Sequence, residues 1–264
     1  MTKKYETIET KLDGWIFEII LNQPQSHNGI GYVMHHELKE AFLSVRDMPE
    51  VRAVVFGSTG KSFSAGGDFE LMLAHHVDHE KRRAMEPEAR ELIMSVGDCP
   101  IPVVTAVQGD AVGLGATLLL ATDAVVASKT VRISDPHVVV GLVAGDGGCV
   151  VWPLSTSFLR AKRYLLTGDR IKAEDALAMG LVTDLVEAPE DALPAARALA
   201  ARIAAQPPLA VKGTKRAFNQ IFRQRMDAVF DFGLSLEMET FTTNDMVEAI
   251  SAFREKRPPK YNGN

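Results

Sequence analysis

The chain has 264 residues, 46% hydrophobic and 24% charged, which is ordinary globular composition with enough length for a sizeable core. Its net charge of -5 argues against a general nucleic-acid binder, which usually carries a basic surplus. Cys99 and Cys149 stand far apart with no CxxC spacing, so no zinc motif or disulfide framework is visible, and reduced thiols in a cytoplasmic protein are expected. The opening MTKKYETIETKLDG lacks the apolar stretch of a signal peptide, and the longer apolar runs are broken by Gly, Asp or Lys. Neither a leader nor a membrane span is expected.

In chain order, Tyr5–Leu21 reads as paired strands closed by a turn at Asn22-Gln23-Pro24. Met34, Leu38, Phe42 and Val45 have helical spacing within 32–47. Ala53–Phe56 is a short strand, 79–97 a charged helix, 102–107 another strand, 116–121 an apolar helix and 123–128 a further strand. This alternation predicts an α/β fold. Beyond Leu159 the chain turns Ala-rich, with helices expected at 173–179, 191–205, 208–228 and 230–253, so the C-terminal third should be all helix. Helices with little sheet to cover often pack on another subunit, and an oligomer is expected.

Two glycine-rich segments follow strands: Ser64-Ala65-Gly66-Gly67-Asp68-Phe69, and Gly109-Asp110-Ala111-Val112-Gly113-Leu114-Gly115. Glycine lets a backbone approach a ligand closely, and a helix start leaves N–H groups unpaired. Two such N–H groups converging on one carbonyl oxygen would form an oxyanion hole. The plainer reading is tight turns in an α/β sheet. The second segment has the spacing GxxxGxG, which is not a dinucleotide fingerprint.

Taken together and in order, these segments resemble the crotonase (enoyl-CoA hydratase/isomerase) superfamily. Asn22-Gln23-Pro24 with Asn28, the stretch 63–68, the stretch 109–123, Leu166–Ile171, Gly180-Leu181-Val182 and the tail 241–245 with 252–258 all take part. The resemblance implies a crotonase-type spiral of ββα units over residues 1–190, carrying the active site. It implies a helical C-terminal trimerisation region over 191–264, and a homotrimer or a hexamer made as a dimer of trimers. It implies an acyl-CoA substrate, with coenzyme A entering as part of the substrate and no resident cofactor or metal. The oxyanion donors would be the N–H groups of Gly67 and Leu114, where the family usually has glycine at the second position. CoA would lie against Gln25, Ser26, His27, Ala65 and Asp68, with Phe253 and Lys256, which a neighbouring subunit could supply, near its adenine or phosphate end.

The departures are informative. Typical hydratases of the family carry two glutamates, and the matching positions here hold Thr117 and His137. Threonine has no suitable pKa for proton exchange, so Thr117 is expected to pack or hydrogen-bond in the substrate site. His137, in Ser134-Asp135-Pro136-His137, suits general acid or base work. Asp146 would orient it, in the logic of a base and its partner. Glu237 is a third candidate. These three residues also align with a catalytic set of 6-oxocamphor hydrolase, a superfamily relative that cleaves a cyclic β-diketone. One further histidine of that enzyme has no counterpart here.

Plainer readings stand beside each. His137 would bond a loop carbonyl, Asp146 would cap a helix, and Glu237 would be solvated or at a subunit interface. His75, His76 and His79 are expected on a solvated surface, and so are His35 and His36; Met72 and Met85 are expected to fill core or line an acyl pocket. Three functions follow: an acyl-CoA hydratase or isomerase with a His/Asp set, a β-diketone hydrolase, or a non-catalytic binder of CoA or a protein partner.

Overall fold

The computed structural model describes residues 3–264. β1 (Ile8–Asp13) and β2 (Ile16–Leu21) form an antiparallel hairpin with Ile8 opposite Leu21. Gly14 closes it; Pro24 begins a 3-10 turn beyond β2, so the proline serves the next loop and not the hairpin. Then come α1 (Tyr32–Ser44), β3 (Ala53–Ser58), α2 (Phe69–Val77), α3 (His79–Gly97) and β4 (Val103–Val107). α2 was not expected from the sequence. Its cap is clear in hindsight: the Asp68 carboxylate accepts the N–H groups of Glu70 and Leu71.

β5 (Ala111–Val112), α4 (Leu114–Leu120), β6 (Ala124–Ser128) and β7 (Arg132–Ser134) follow. α5 (Gly148–Ser155), α6 (Phe158–Thr167), β8 (Ile171–Lys172), α7 (Ala173–Met179) and β9 (Asp184–Val186) lead to the C-terminal helices. These are α8 (Pro189–Ala204), α9 (Pro208–Arg225), a π-helical stretch Met226–Phe230, α10 (Asp231–Thr240) and α11 (Asn244–Glu255). Two expectations need correction. The C-terminal third is not all helix, since β9 adds a strand to the sheet edge. The segment 230–253 is two helices, with a turn at 241–243 that ends α10 before Thr243 leads into α11.

The larger sheet has the order β1-β2-β3-β4-β6-β9, parallel from β2 onward. A smaller sheet has the order β5-β7-β8. Strand alternation divides the core. Val54, Phe56, Val103 and Val107 face the main core with α1, α3 and α4. Ala53, Val55, Val104, Ala106 and Val126 face the other way, against Ala196, Ala200 and Ala204 of α8. Those alanines recur every four residues, so a smooth helix face lies flat on the sheet. The buried Glu18 of β2 takes a two-pronged ion pair from Arg197, at 2.6 and 2.8 Å, which fixes α8 along the sheet. No helix among the described residues is long and apolar enough to cross a membrane.

Candidate active site

The two glycine segments meet beyond the ends of β3 and β4. Val112 N–H donates to Ser64 O at 3.0 Å, and Ser64 bridges to Ala111. A Cβ on Gly66 would lie 2.7 Å from the Val112 carbonyl oxygen, so only glycine permits this approach. Gly67 follows at once, and Leu114 opens α4. Among the described residues, neither the Gly67 N–H nor the Leu114 N–H has an acceptor within the chain. Leucine is tolerated at 114 because the positive φ of this turn (52°) belongs to Gly113.

His137 begins a short 3-10 turn after β7 and is 7% exposed. Its Nδ1 hydrogen-bonds to Asp135, and its Nε2 lies 3.3 Å from an oxygen of Asp146. The sequence reading assigned the orienting role to Asp146. The structure gives the Nδ1 side to Asp135 and leaves Asp146 on the opposite nitrogen, facing the cavity. Asp135 was missed although it stands in the quoted motif; the intervening proline, which bends the chain back, was the available signal. The Asp146 carboxylate also accepts from the Thr117 hydroxyl and the Gly148 N–H, both at 3.4 Å. Thr117 therefore supports Asp146 and is fully buried.

Glu237, on α10, is 4% exposed, and its Oε2 has no hydrogen-bond partner among the described residues. It is neither solvated nor an exposed interface carboxylate. Its approach depends on Gly145, where a Cβ would lie 2.3 Å from the Gly233 carbonyl oxygen and 2.8 Å from the Glu237 Cβ.

The charges in this cluster are pushed apart. Burial by itself would lower the pKa of His137, but the carboxylates of Asp135 and Asp146 outweigh burial and hold it well above its ordinary value. Burial would raise Asp146, but the His137 cation outweighs it and holds Asp146 low. Burial, then the nearby Asp146 charge, push Glu237 well above the usual carboxyl range. The cluster thus favours the ionised form of Asp146 and the protonated forms of His137 and Glu237. Asp135, His137 and Asp146 are close enough to hold a metal ion. Each ring nitrogen already faces a carboxylate oxygen, so a metal would have to displace a shared proton.

One cavity collects Gly67, Asp68, Leu114, His137, Asp146 and Glu237 on its wall. Met72 and Met85 line it too, in the pocket role the sequence allowed. His35 and His75 also line it and are 2% and 4% exposed, which corrects their placement on a solvated surface. His36 and His79 do stay exposed, and His76 bonds the Phe241 carbonyl oxygen at 2.9 Å. Of the residues expected against CoA, Gln25, Ser26, His27, Ala65 and Asp68 are exposed, and the Ala65 N–H donates to His27 O at 2.9 Å. Phe253 stacks edge-on against Phe69 of the same chain with centroids 5.3 Å apart, so α11 reaches this rim within one protomer. Lys256 is exposed just beyond the end of α11.

A family profile described as enoyl-CoA hydratase/isomerase matches residues 12–264. A probable enoyl-CoA hydratase of Rhodobacter capsulatus is 32% identical over 260 residues, covering 98% of this chain and 99% of its own length. The crotonyl-CoA hydratase of Syntrophomonas wolfei is 30% identical over 262 residues, covering 97% and 98%. A crystal structure of an enoyl-CoA hydratase/isomerase from Mycobacterium paratuberculosis matches with a TM-score of 0.89 at 38% identity, over 94% of this chain and 99% of that one.

Proposed function

This chain belongs to the enoyl-CoA hydratase/isomerase family, with the α/β fold of the crotonase superfamily, and we propose that it moves a proton or adds water at an acyl-CoA thioester with Asp146 as base and Glu237 as acid. The single observation that carries this reading is the meeting of two carboxyl groups in one cavity, Asp146 beside the His137 ring and Glu237 buried without a partner for Oε2, together with the Gly67 and Leu114 N–H groups, which have no acceptor among the described residues. Two carboxyl groups whose pKa values are pushed apart, Asp146 down and Glu237 up, make a base and an acid available together.

In this reading the thioester oxygen accepts from Gly67 N–H and Leu114 N–H. In hydration, Asp146 takes a proton from water as its oxygen attacks the β carbon. The electron pair moves onto the thioester oxygen as an enolate, and Glu237 delivers its proton to the α carbon. In isomerisation the same pair removes and returns a carbon-bound proton. His137, held by Asp135, keeps Asp146 ionised until it is needed. This differs from a His137 general base, because a cation is a poor proton acceptor. Coenzyme A arrives with the substrate along Gln25, Ser26, His27, Ala65 and Asp68, with Phe253 and Lys256 at the outer rim. The chemistry draws on no metal or redox cofactor. Exposed Leu209, Phe218 and Phe232 on the C-terminal helices support assembly into a trimer or hexamer.

A second reading, hydrolysis of a β-diketone, is favoured by the meeting of His137, Asp146 and Glu237 in the same cavity. That grouping weighs against a member that only binds. Calorimetric titration with crotonyl-CoA, followed by turnover assays over an enoyl-CoA panel with Asp146→Asn as control, separates the readings. Binding and Asp146-dependent turnover support the thioester enzyme. No binding, with loss of 1,3-diketone absorbance on adding enzyme, moves the assignment to the hydrolase.

A further inference from the structure

The chain has seven histidines. His27, His76 and His137 each find a hydrogen-bond partner for a ring nitrogen. His36 and His79 stand beside glutamates. Among the described residues, the rings of His35 and His75 have neither a hydrogen bond nor an ion pair, although these two are among the most deeply buried histidines. Their ring nitrogens are not among the buried side-chain atoms left without a partner, so they open onto the cavity, and a ligand that fills it without pairing them would leave buried polar groups unpaired at a cost. Here two come from different helices, the first turn of α1 and the last turn of α2, and line one cavity.

Their neighbours on the cavity wall include Leu71, Met72, Met85 and Ala89, none of which can satisfy an imidazole. His75 meets the Phe241 ring edge-on at 5.4 Å between centroids. Burial pulls His35 down to about 4 and lowers His75 as well. Both are therefore neutral at physiological pH, and each offers one N–H donor and one lone pair.

The class of ligand follows by elimination. A saturated alkyl chain would close the cavity over both rings and leave them unpaired. A carboxylate on the acyl group would add a further anion to a cluster in which the Asp135 and Asp146 carboxylates already share one imidazole. An ammonium group could donate to the lone pairs but could accept from neither N–H, and the group of three candidate metal ligands found among the described residues, Asp135, His137 and Asp146, includes neither ring. An uncharged oxygen satisfies an imidazole N–H, and a hydroxyl can also donate to the lone pair. Resting on the acyl-CoA reading above, we propose that His35 and His75 select an acyl-CoA whose acyl group carries a hydroxyl or carbonyl oxygen beyond the carbons that react. A site built around such a contact discriminates strongly against the analogue that lacks it.

Calorimetry compares hexanoyl-CoA with its 4-oxo, 5-oxo and 5-hydroxy derivatives on the wild-type enzyme and on His35→Leu and His75→Leu. None of these saturated esters is an enoyl substrate, so binding is read without hydration. The wild type should bind at least one oxygenated ester about tenfold more tightly than hexanoyl-CoA, and each variant should lose most of that preference while holding hexanoyl-CoA within about twofold. Equal wild-type affinity for all four esters overturns the inference and leaves the acyl-CoA reading standing. Binding of none of them overturns both. Should the variants fail to fold, imidazole nitrogen NMR of the wild type decides. The His35 and His75 resonances should move with an oxygenated ester and stay with hexanoyl-CoA; equal movement with both overturns the inference.

Discussion

His137 Nε2 lies 3.3 Å from Asp146 Oδ2, while Nδ1 of the same ring is held by Asp135. The imidazole is thus fixed at both ends and bridges a carboxylate inside the loop to one on the cavity wall. In the proposed mechanism its role is electrostatic: it favours the ionised form of Asp146 at a depth where burial alone would favour the protonated one.

Replacing Asp135 with asparagine tests that role. The change keeps the shape and removes one of the two charges that stabilise the imidazolium. We expect kcat to fall on the order of 10² or more with little change in KM, because the charge state and ring orientation both fail. Steady-state kinetics on the thioester substrate checks this, and a wild-type kcat would remove His137 from the mechanism.

Glu237 gives a stability prediction with a definite sign. Its folded pKa is raised, so the folded state binds more protons than the unfolded state above the ordinary glutamate range. Its contribution is fully present below about pH 4.5 and is lost as pH rises through the folded value. Glu237→Gln removes this dependence. The stability of the variant relative to wild type should therefore grow as pH rises from about 5 to 8. Urea midpoints at several pH values measure it, and parallel curves would contradict the raised pKa.

Leu114 allows the backbone donor to be separated from the side chain. Proline is tolerated at the first position of a helix, where the N–H makes no helical bond. Leu114→Pro removes that N–H and should reduce kcat by about 10² to 10³. Leu114→Gly removes the side chain and keeps the donor, and should retain most of the activity. Comparable losses in both variants would place the importance of Leu114 in packing.

Two glycines should respond in opposite directions. Gly145→Ala drives a methyl group into the Gly233 carbonyl oxygen and the Glu237 Cβ. It should cost about 1–3 kcal/mol and lower activity by displacing Glu237. Gly213 lies inside α9, and a methyl group there would meet nothing within 4 Å. Gly213→Ala should stabilise by about 0.5–1 kcal/mol and leave activity unchanged. Denaturation midpoints for the two variants check the pair.

Much of this architecture was legible in the residues. The α/β order came from apolar runs and helical spacing, and the bounds of α3 and α7 follow directly from their charge patterning and Ala-rich periods. His137, Asp146 and Glu237 were read as a set, and the structure brings them together. What was not legible is what depends on distant packing. α2 is short and carries histidines that look solvated until Phe241 packs against His75 and its carbonyl oxygen meets His76. His35 and His36 are neighbours in sequence, yet one faces the cavity and the other faces solvent, since successive helical residues point about 100° apart. The partners of the two His137 nitrogens depend on how the turn at Pro136 brings Asp135 back beneath the ring, which spacing does not give.

The contact of Gly145 with Gly233 bears on the order of events as the chain folds. The two sheets are complete by residue 186, and their pairings are mostly between neighbouring segments. Glu237, the acid of the proposed mechanism, arrives on α10, after about fifty further residues, and its placement needs the α10 backbone to seat against the loop at Gly145; contacts between distant segments carry the larger loop-closure cost and tend to close late. Catalytic competence is therefore the last property such a chain acquires, and recovery of activity after dilution from denaturant should lag recovery of helix and sheet.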